Sequence, residues 1–185
     1  MQFLASYQSP FGPISLACDS EALTGLWFDG QRFDRNGLED FWQREEDRSI
    51  FVQAKAWLDC YFSGKVPSEL PPIRIPGEGF SREVSQCLLH IPYGKVVTYG
   101  AVCRMLGRDA SSSRAVGHVV SHNPISLMVP CHRVVGSGGR LTGYAGGIAR
   151  KRALLESEGI GFDAQGNCLM EPPGGQNEAK FCHWQ

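Results

Sequence analysis

Asn123-Pro124-Ile125-Ser126-Leu127-Met128-Val129-Pro130-Cys131-His132-Arg133-Val134-Val135 is the stretch from which the rest of the chain is read. A mostly apolar run delivers a proline, a cysteine and a histidine side by side, then turns apolar again. Pro130 fixes its own φ and pushes Val129 towards extended backbone, so the run predicts a strand or extended segment entering a sharp bend. A thiol at such a bend is held at a defined angle, and the neighbouring imidazole can assist its deprotonation directly or through a water. A buried structural cysteine beside an unrelated histidine has the same local pattern. The surroundings must decide between the two.

The charge around this stretch is uneven. From Lys95 to Leu155 there are nine basic residues (Lys95, Arg104, Arg108, Arg114, Arg133, Arg140, Arg150, Lys151, Arg152) and one acid, Asp109. Residues 1–90 hold thirteen acids against eight bases, and residues 156–185 five against one. The net charge of −1 therefore conceals a segment of about +8, which suggests a local polyanion-binding face; a solvated basic surface without a partner is the competing explanation.

Just upstream, Thr98 caps a predicted short helix with Ala101, Val102, Met105 and Leu106 inward and Gly107 as its stop. A second helix is predicted over 112–121, ended by Asn123-Pro124. Two short helices joined by a tight turn, with Arg104, Arg108 and Arg114 exposed, form a helix-turn-helix candidate. Ser113, Ala115 and Gly117 are small enough for the second helix to press against a nucleic-acid groove, or equally against another helix. Ser81 opens a helix with Val84, Cys87, Leu88 and Ile91 as its apolar stripe, stopped at Pro92-Tyr93-Gly94.

The N-terminal part reads differently. Three apolar runs (3–7, 14–18 and 22–28) separated by Ser9-Pro10-Phe11-Gly12 and Asp19-Ser20 predict an antiparallel meander. Ser49 is the predicted cap of a helix whose face carries Ile50, Ala54, Trp57, Leu58, Tyr61 and Phe62. The Pro- and Gly-rich stretch 63–79 reads as a linker. There are no internal repeats.

Composition narrows the class. At 185 residues, with 42% hydrophobic and 20% charged residues, the chain fits one or two globular domains. No apolar run approaches the roughly 20 residues that span a bilayer, and no signal-peptide pattern opens the chain. Seven cysteines (18, 60, 87, 103, 131, 168, 182) without regular spacing read as reduced thiols, and the expected location is cytoplasmic, nucleoid-associated if bacterial. Cys182-His183 has no companions at zinc-ligand spacing, so neither a metal nor a cofactor is expected.

Several motifs then converge. Pro130-Cys131-His132-Arg133-Val134, preceded by Asn123-Pro124 and followed by Gly143-Tyr144-Ala145-Gly146-Gly147, closely resembles the O6-alkylguanine-DNA alkyltransferases (methylated-DNA–protein-cysteine methyltransferases). So do Ile91-Pro92-Tyr93-Gly94-Lys95-Val96-Val97-Thr98-Tyr99 and Arg114-Ala115-Val116-Gly117. The resemblance covers about residues 80–159; the first eighty match in outline only. It implies a mixed α/β (α+β) protein: a ribonuclease-H-like α/β domain with an antiparallel sheet over 1–76, a winged-helix-like (helix-turn-helix) DNA-binding and alkyl-acceptor domain over 77–162, and a C-terminal extension over 163–185 that includes Glu171-Pro172-Pro173-Gly174-Gly175.

The implied activity is direct-reversal DNA repair by a single-turnover, suicide transferase. An alkyl group on guanine O6, with O4-alkylthymine as a further candidate, passes irreversibly to the Cys131 thiolate. A polarizable thiolate suits displacement at an sp³ carbon. The resemblance assigns His132 as the base acting through water, Glu158 as its orienting carboxylate, and Asn123 as the brace of the active-site turn. A thioether is not hydrolysed, so the protein reacts once.

Guanine O6 lies inside the stack, so the nucleotide must be flipped. Arg114 matches the arginine finger that fills the vacated space, and Tyr99 the tyrosine that crowds the adjacent phosphate and donates to the flipped base. Ser113, Ala115 and Gly117 fit insertion of the second helix into the minor groove of double-stranded DNA containing alkylated bases. The pocket is assigned to Tyr99, the Val134 carbonyl, Tyr144, Ala145 (Ser in some relatives) and Gly146; Ser126, Pro in some relatives, is placed on its rim. Arg133 is assigned structural polar contacts. A monomer without membrane association is expected. A lesion-binding sensor that does not repair, and a cysteine hydrolase or thiol-sensing transcription factor, are the alternatives.

Overall fold

The three apolar runs at the start of the chain fold as β1 (Gln2–Ser9), β2 (Gly12–Cys18) and β3 (Leu23–Phe28). The computed structural model describes residues 2–32 and 42–170; Cys182, His183 and the 171–175 stretch lie outside them. β1 and β2 pair antiparallel from Phe3 opposite Cys18 to Ser9 opposite Gly12, and β2 and β3 from Ile14 opposite Phe28 to Cys18 opposite Leu23. A fourth strand, β4 (Trp42–Arg44), adds parallel to β1, giving the order β3-β2-β1-β4. The expected antiparallel sheet is therefore extended at one edge by a parallel strand.

Helix α1 (Ser49–Phe62) buries Ile50, Phe51, Ala54, Leu58 and Tyr61 against this sheet. Ser49 lies inside the helix and does not cap it. The N-cap is Arg48, in extended conformation, held by Glu45 at 2.8 Å and lying over the Phe3 ring. Nor is the stretch after α1 a plain linker: Ile73 forms a bridge with Leu23, whose N–H donates to the Pro72 carbonyl.

Helix α2 (Gly79–Leu89) begins two residues before the expected Ser81. β5 (Val97–Thr98) leads into α3 (Tyr99–Met105), capped by Thr98 Oγ1, which accepts from Ala101 N–H at 3.1 Å as its sequence predicts. A single 3₁₀ turn (Ala110–Ser112) precedes α4 (Ser113–Ser121). β6 (Val134–Val135) pairs parallel with β5, and α5 (Ile148–Ser157) closes the unit. Residues 162 and 168 form an antiparallel bridge, packing Cys168 against Val135 and Leu155. None of the six cysteines among the described residues is joined in a disulfide.

One continuous core joins both halves. It runs from Leu16, Leu26 and Phe28 of the sheet, through Phe51 and Leu58 of α1, to Val84 and Leu88 of α2 and on to Ile125, Val129, Cys131 and Val134. Truncating any of its fully buried leucines to alanine costs about 2–5 kcal/mol. The nucleophile's turn thus rests on the N-terminal sheet. Among the described residues, no helix is long and apolar enough to cross a membrane.

Candidate active site and nucleic-acid interface

The sharp bend expected at Pro130 is present, but the apolar run before it forms turns rather than a strand, and only Val134–Val135 after it is a strand. The run touches β3 at one point only: Leu26 N–H donates to the Pro124 carbonyl at 2.8 Å, and Ser126 N–H to the Leu26 carbonyl at 2.9 Å. Ser126 is buried at this seam, and its side chain faces Tyr144. The chain then reverses at Leu127, whose φ is +70°, with Met128 N–H donating to the Ser126 carbonyl. A three-residue turn with positive central φ is the rare, strained form. A second such turn centres on Pro130 (φ −80°, ψ 62°), closed by Cys131 N–H on the Val129 carbonyl at 2.8 Å. This is the inverse γ-turn geometry that proline's fixed φ favours.

Asn123 holds the bend together. Its Nδ2 donates to the Val129 carbonyl (2.8 Å), the Cys131 sulfur (3.1 Å) and the Ile125 carbonyl (3.2 Å), while its Oδ1 accepts from Ile125 N–H (3.1 Å). Cys131 opens a one-turn 3₁₀ helix through Arg133 and is 3% exposed. Burial pushes its thiol above the ordinary range, against the pull of the Asn123 amide, the Lys151 charge and the adjacent backbone N–H groups. A thiol in this state needs a base to become a nucleophile.

The base candidate is adjacent. His132 is fully buried, and burial lowers its pKa despite the Glu158 carboxylate, so a neutral imidazole is favoured. His132 Nε2 lies 2.8 Å from Glu158 Oε1, while Nδ1 has no hydrogen-bond partner. Glu158 follows α5 as its C-cap. Burial raises its pKa, but His132 and then Arg133 outweigh that and hold it well below the usual carboxylate range. Arg133 is the chief clamp: Nε reaches Oε2 and Nη2 reaches Oε1, each at 2.9 Å, and Nη1 donates to the Ile91 carbonyl at 2.7 Å. Gly94 N–H adds a bond to Oε2 at 3.1 Å, from a turn whose φ of +72° suits glycine. Tyr61, read from the sequence as a core aromatic of α1, donates its hydroxyl to Glu158 Oε1 at 2.7 Å.

Two other expected pocket elements, Tyr99 and the loop after Thr142, meet each other. Tyr99 interacts electrostatically with the thiol and points its hydroxyl at the Thr142 carbonyl (3.5 Å). A Cβ at position 143 would stand 2.6 Å from that hydroxyl, and Gly143 has φ +62°, so glycine admits Tyr99. The loop 144–147 is tied to the N-terminal sheet. Arg32 N–H donates to the Ala145 carbonyl at 3.0 Å; Arg150 bridges the Phe11 carbonyl (3.1 Å) and the Gly146 carbonyl (2.9 Å) over the Phe28 ring. Carbonyl and N–H point opposite ways across a trans peptide, so pinning the Ala145 carbonyl aims the Gly146 N–H away from Arg32.

Two charges expected on the basic face are inside. Arg133 is clamped as described. Lys151 is fully buried, donating to the Val134 carbonyl (2.5 Å) and the Thr142 carbonyl (2.7 Å), with its pKa pushed down to about 8 by burial. The Val134 carbonyl assigned to a guanine amine thus already has one donor and a lone pair to spare. Arg108 and Arg152 are paired with Glu83 and Glu156 at the surface. The polyanion-binding face is smaller than the sequence count.

A groove of about 420 Å³ lies along α4, lined by Tyr99, Ser113, Arg114, Gly117, His118, Ser121, Thr142 and Gly143. Arg114 is exposed on it. Ser113 and Gly117 fall on the lining side, and a Cβ at Gly117 would meet only the Tyr99 ring at 3.8 Å. Ala115 is exposed but does not line the groove, and neither does Cys131. Tyr99 lines the groove, and burial and then the Cys131 charge push its pKa up. Among the described residues no group of three or more His, Cys, Asp or Glu is placed to hold a metal ion.

A strained turn carries a buried cysteine, a hydrogen-bonded His-Glu pair follows it, and a helix-lined groove lies along α4 of the same unit. The chain matches the profile of the 6-O-methylguanine DNA methyltransferase DNA binding domain over residues 79–160, and that of the ribonuclease-like domain of the same proteins over residues 3–76. It belongs to the 6-O-methylguanine DNA methyltransferase family. It is 39% identical over 158 residues to the methylated-DNA–protein-cysteine methyltransferase of Methanosarcina acetivorans, covering 85% of this chain and 98% of that protein. To the protein of the same name from Mycobacterium tuberculosis it is 41% identical over 150 residues, 81% of this chain and 88% of that one. The crystal structure of Mycobacterium tuberculosis OGT in complex with DNA superposes with a TM-score of 0.76 at 38% identity, covering 84% of this chain and 92% of that one.

Proposed function

We infer that this chain repairs DNA by direct reversal, transferring a methyl or larger alkyl group from guanine O6 to Cys131, once per molecule. The observation that carries the reading is the Asn123-held turn, which sets a buried thiol next to the His132–Glu158 pair in the same unit as the helix-lined groove that Tyr99 and Arg114 border. In this reading residues 1–76 support the site and residues 77–162 bind DNA and accept the alkyl group.

α4 enters the minor groove of a duplex, Arg114 takes the place of the lesion nucleotide, and the base rotates towards Tyr99. His132 Nδ1 takes the Cys131 proton through a water, and Glu158 stabilises the resulting imidazolium. The thiolate sulfur attacks the alkyl carbon: the S–C bond forms as the C–O6 bond breaks, and the electron pair stays on the guanine. The Ala145 and Gly146 N–H groups and the Tyr99 hydroxyl face that developing charge, and the proton taken from sulfur returns to the leaving guanine. Asn123 keeps the sulfur aimed. The product is a thioether with no good leaving group, so nothing regenerates the protein. The protein acts as a monomer on duplexes carrying O6-alkylguanine, with O4-alkylthymine as a second substrate.

The test is a duplex with a radiolabelled O6-methyl group. Label is expected on the Cys131 peptide of the wild-type chain and none on Cys131→Ala. Label left on the DNA by the wild type, or lost from it with Cys131→Ala, overturns the mechanism.

A further inference from the structure

We propose that Tyr61, carried by helix α1 of the N-terminal half, is a positioning residue for alkyl transfer: its hydroxyl fixes the Glu158 carboxylate and, through it, which nitrogen of His132 is free to take the thiol proton. The proposal rests on the function inferred above and adds to it a residue outside the DNA-binding half.

The geometry is specific. Glu158 Oε1 receives the Tyr61 hydroxyl at 2.7 Å, His132 Nε2 at 2.8 Å and Arg133 Nη2 at 2.9 Å; Oε2 receives Arg133 Nε at 2.9 Å and Gly94 N–H at 3.1 Å. An ionised carboxylate only accepts and has about four lone-pair sites, so these donors fill it. The Tyr61 oxygen also lies 3.4 Å from His132 Nε2. With Glu158 an obligate acceptor, the Tyr61 proton points at Oε1 and the Nε2 proton at Glu158. The imidazole is then protonated on Nε2, and Nδ1, which has no hydrogen-bond partner, is the basic nitrogen.

Tyr61 cannot drift from this position. It is 3% exposed, stacked on Trp57 at 5.4 Å and met edge-on by Tyr93 at 5.9 Å. The groups that face the pair are Tyr61 from α1, Tyr93 from the turn after α2, Arg133 beside His132 and Cys131 in the nucleophile's turn, Lys151 from α5, and Tyr144 from the pocket loop. Of these, only Tyr61 and Arg133 donate a side-chain hydrogen bond to the carboxylate besides His132 itself.

Each donor to a carboxylate weakens its hold on a proton. Removing the Tyr61 hydroxyl makes Glu158 more basic, which strengthens its stabilisation of a charged imidazole and raises the pKa of His132. A larger fraction of His132 is then protonated at low pH and unable to accept from Cys131. The acid limb of the transfer rate therefore moves to higher pH, while the rate above that limb holds or rises. A purely structural loss lowers the rate at every pH and leaves the limb in place.

The experiment is single-turnover transfer from O6-methylguanine duplex by wild type and Tyr61→Phe, from about pH 5 to 9, where a charge-assisted bond predicts an upward shift of order one pH unit. An unmoved limb overturns the proposal. Absence of transfer by the wild type would instead overturn the inferred function, so the two failures are distinguishable. Should Tyr61→Phe fail to fold, ¹⁵N spectra of the wild-type imidazole decide: protonation of His132 on Nε2 supports the proposal, and on Nδ1 overturns it.

Discussion

The Asn123 amide donates to the Cys131 sulfur across 3.1 Å while bonding to the carbonyl of Val129 at 2.8 Å, so one side chain both shapes the turn and touches the sulfur proposed to react. The bond favours thiolate in a site where burial opposes it. Asn123→Ala takes the acceptor from the buried Ile125 N–H, while the Ile125 and Val129 carbonyls keep the N–H groups of Val129 and Cys131, so the cost is about 1–3 kcal/mol for the one group left unsatisfied. Urea unfolding is expected to show a loss of that order, and single-turnover transfer at neutral pH to fall more than about tenfold as the thiol pKa climbs. Wild-type stability with an unchanged rate would remove Asn123 from both roles.

Arg114 makes a different kind of contribution. It stands exposed on the α4 groove, away from the thiol. If it replaces the flipped nucleotide, Arg114→Ala slows repair of duplex DNA by the few kcal/mol that unstacking costs, roughly a hundredfold, and leaves reaction with free O6-methylguanine nearly unchanged. Rates on the two substrates, compared side by side, check this; equal slowing contradicts it.

Lys151 gives a pH signature in stability. Its folded pKa of about 8 lies below the ordinary 10.5, so between these values the unfolded chain holds the extra proton and stability rises with pH. The full difference corresponds to roughly 3 kcal/mol. In urea unfolding, wild type should gain on Lys151→Met between about pH 7.5 and 10. Lys151 also lowers the pKa of the Cys131 and Cys168 thiols, so the comparison is made with both cysteines replaced by alanine in each protein. A pH-independent gap would mean that Lys151 is not deprotonated more readily in the fold.

Much of this arrangement was legible in the sequence, and the gaps have physical causes. The meander is visible because Ser9–Gly12 and Asp19-Ser20 punctuate three apolar runs, whereas β4 is three exposed residues with no buried face to pattern. Cys131 and His132 stand out by adjacency after Pro130, but Glu158 is identified only through family resemblance, since nothing local marks it. Tyr61 looks like any aromatic on an apolar helix stripe; its polar tip matters through partners 71 and 97 residues away. Lys151 reads as a surface charge because its burial depends on the Val134 and Thr142 carbonyls, whereas the structural contacts of Arg133 are legible only through the resemblance, since its carboxylate partner is distant in sequence. The apolar run before Pro130 mimics a strand, and the reversal at Leu127 has no glycine to announce it.

With Arg133 and Lys151 inside, the remaining surface cations still predict salt-dependent association. Affinity for duplex DNA should fall at least about tenfold between roughly 50 and 200 mM salt, as displaced counterions require. Fluorescence anisotropy on a lesion-bearing duplex measures it. A flat response would argue against phosphate contacts.

The most direct measurement of the central claim is stoichiometry read on the nucleophile itself. With O6-methylguanine duplex in excess, the amount of lesion removed is predicted to plateau at one per chain, with intact mass showing a single added methylene confined to the peptide that carries Cys131. Continued turnover past that plateau, or the added carbon on another residue, would contradict it.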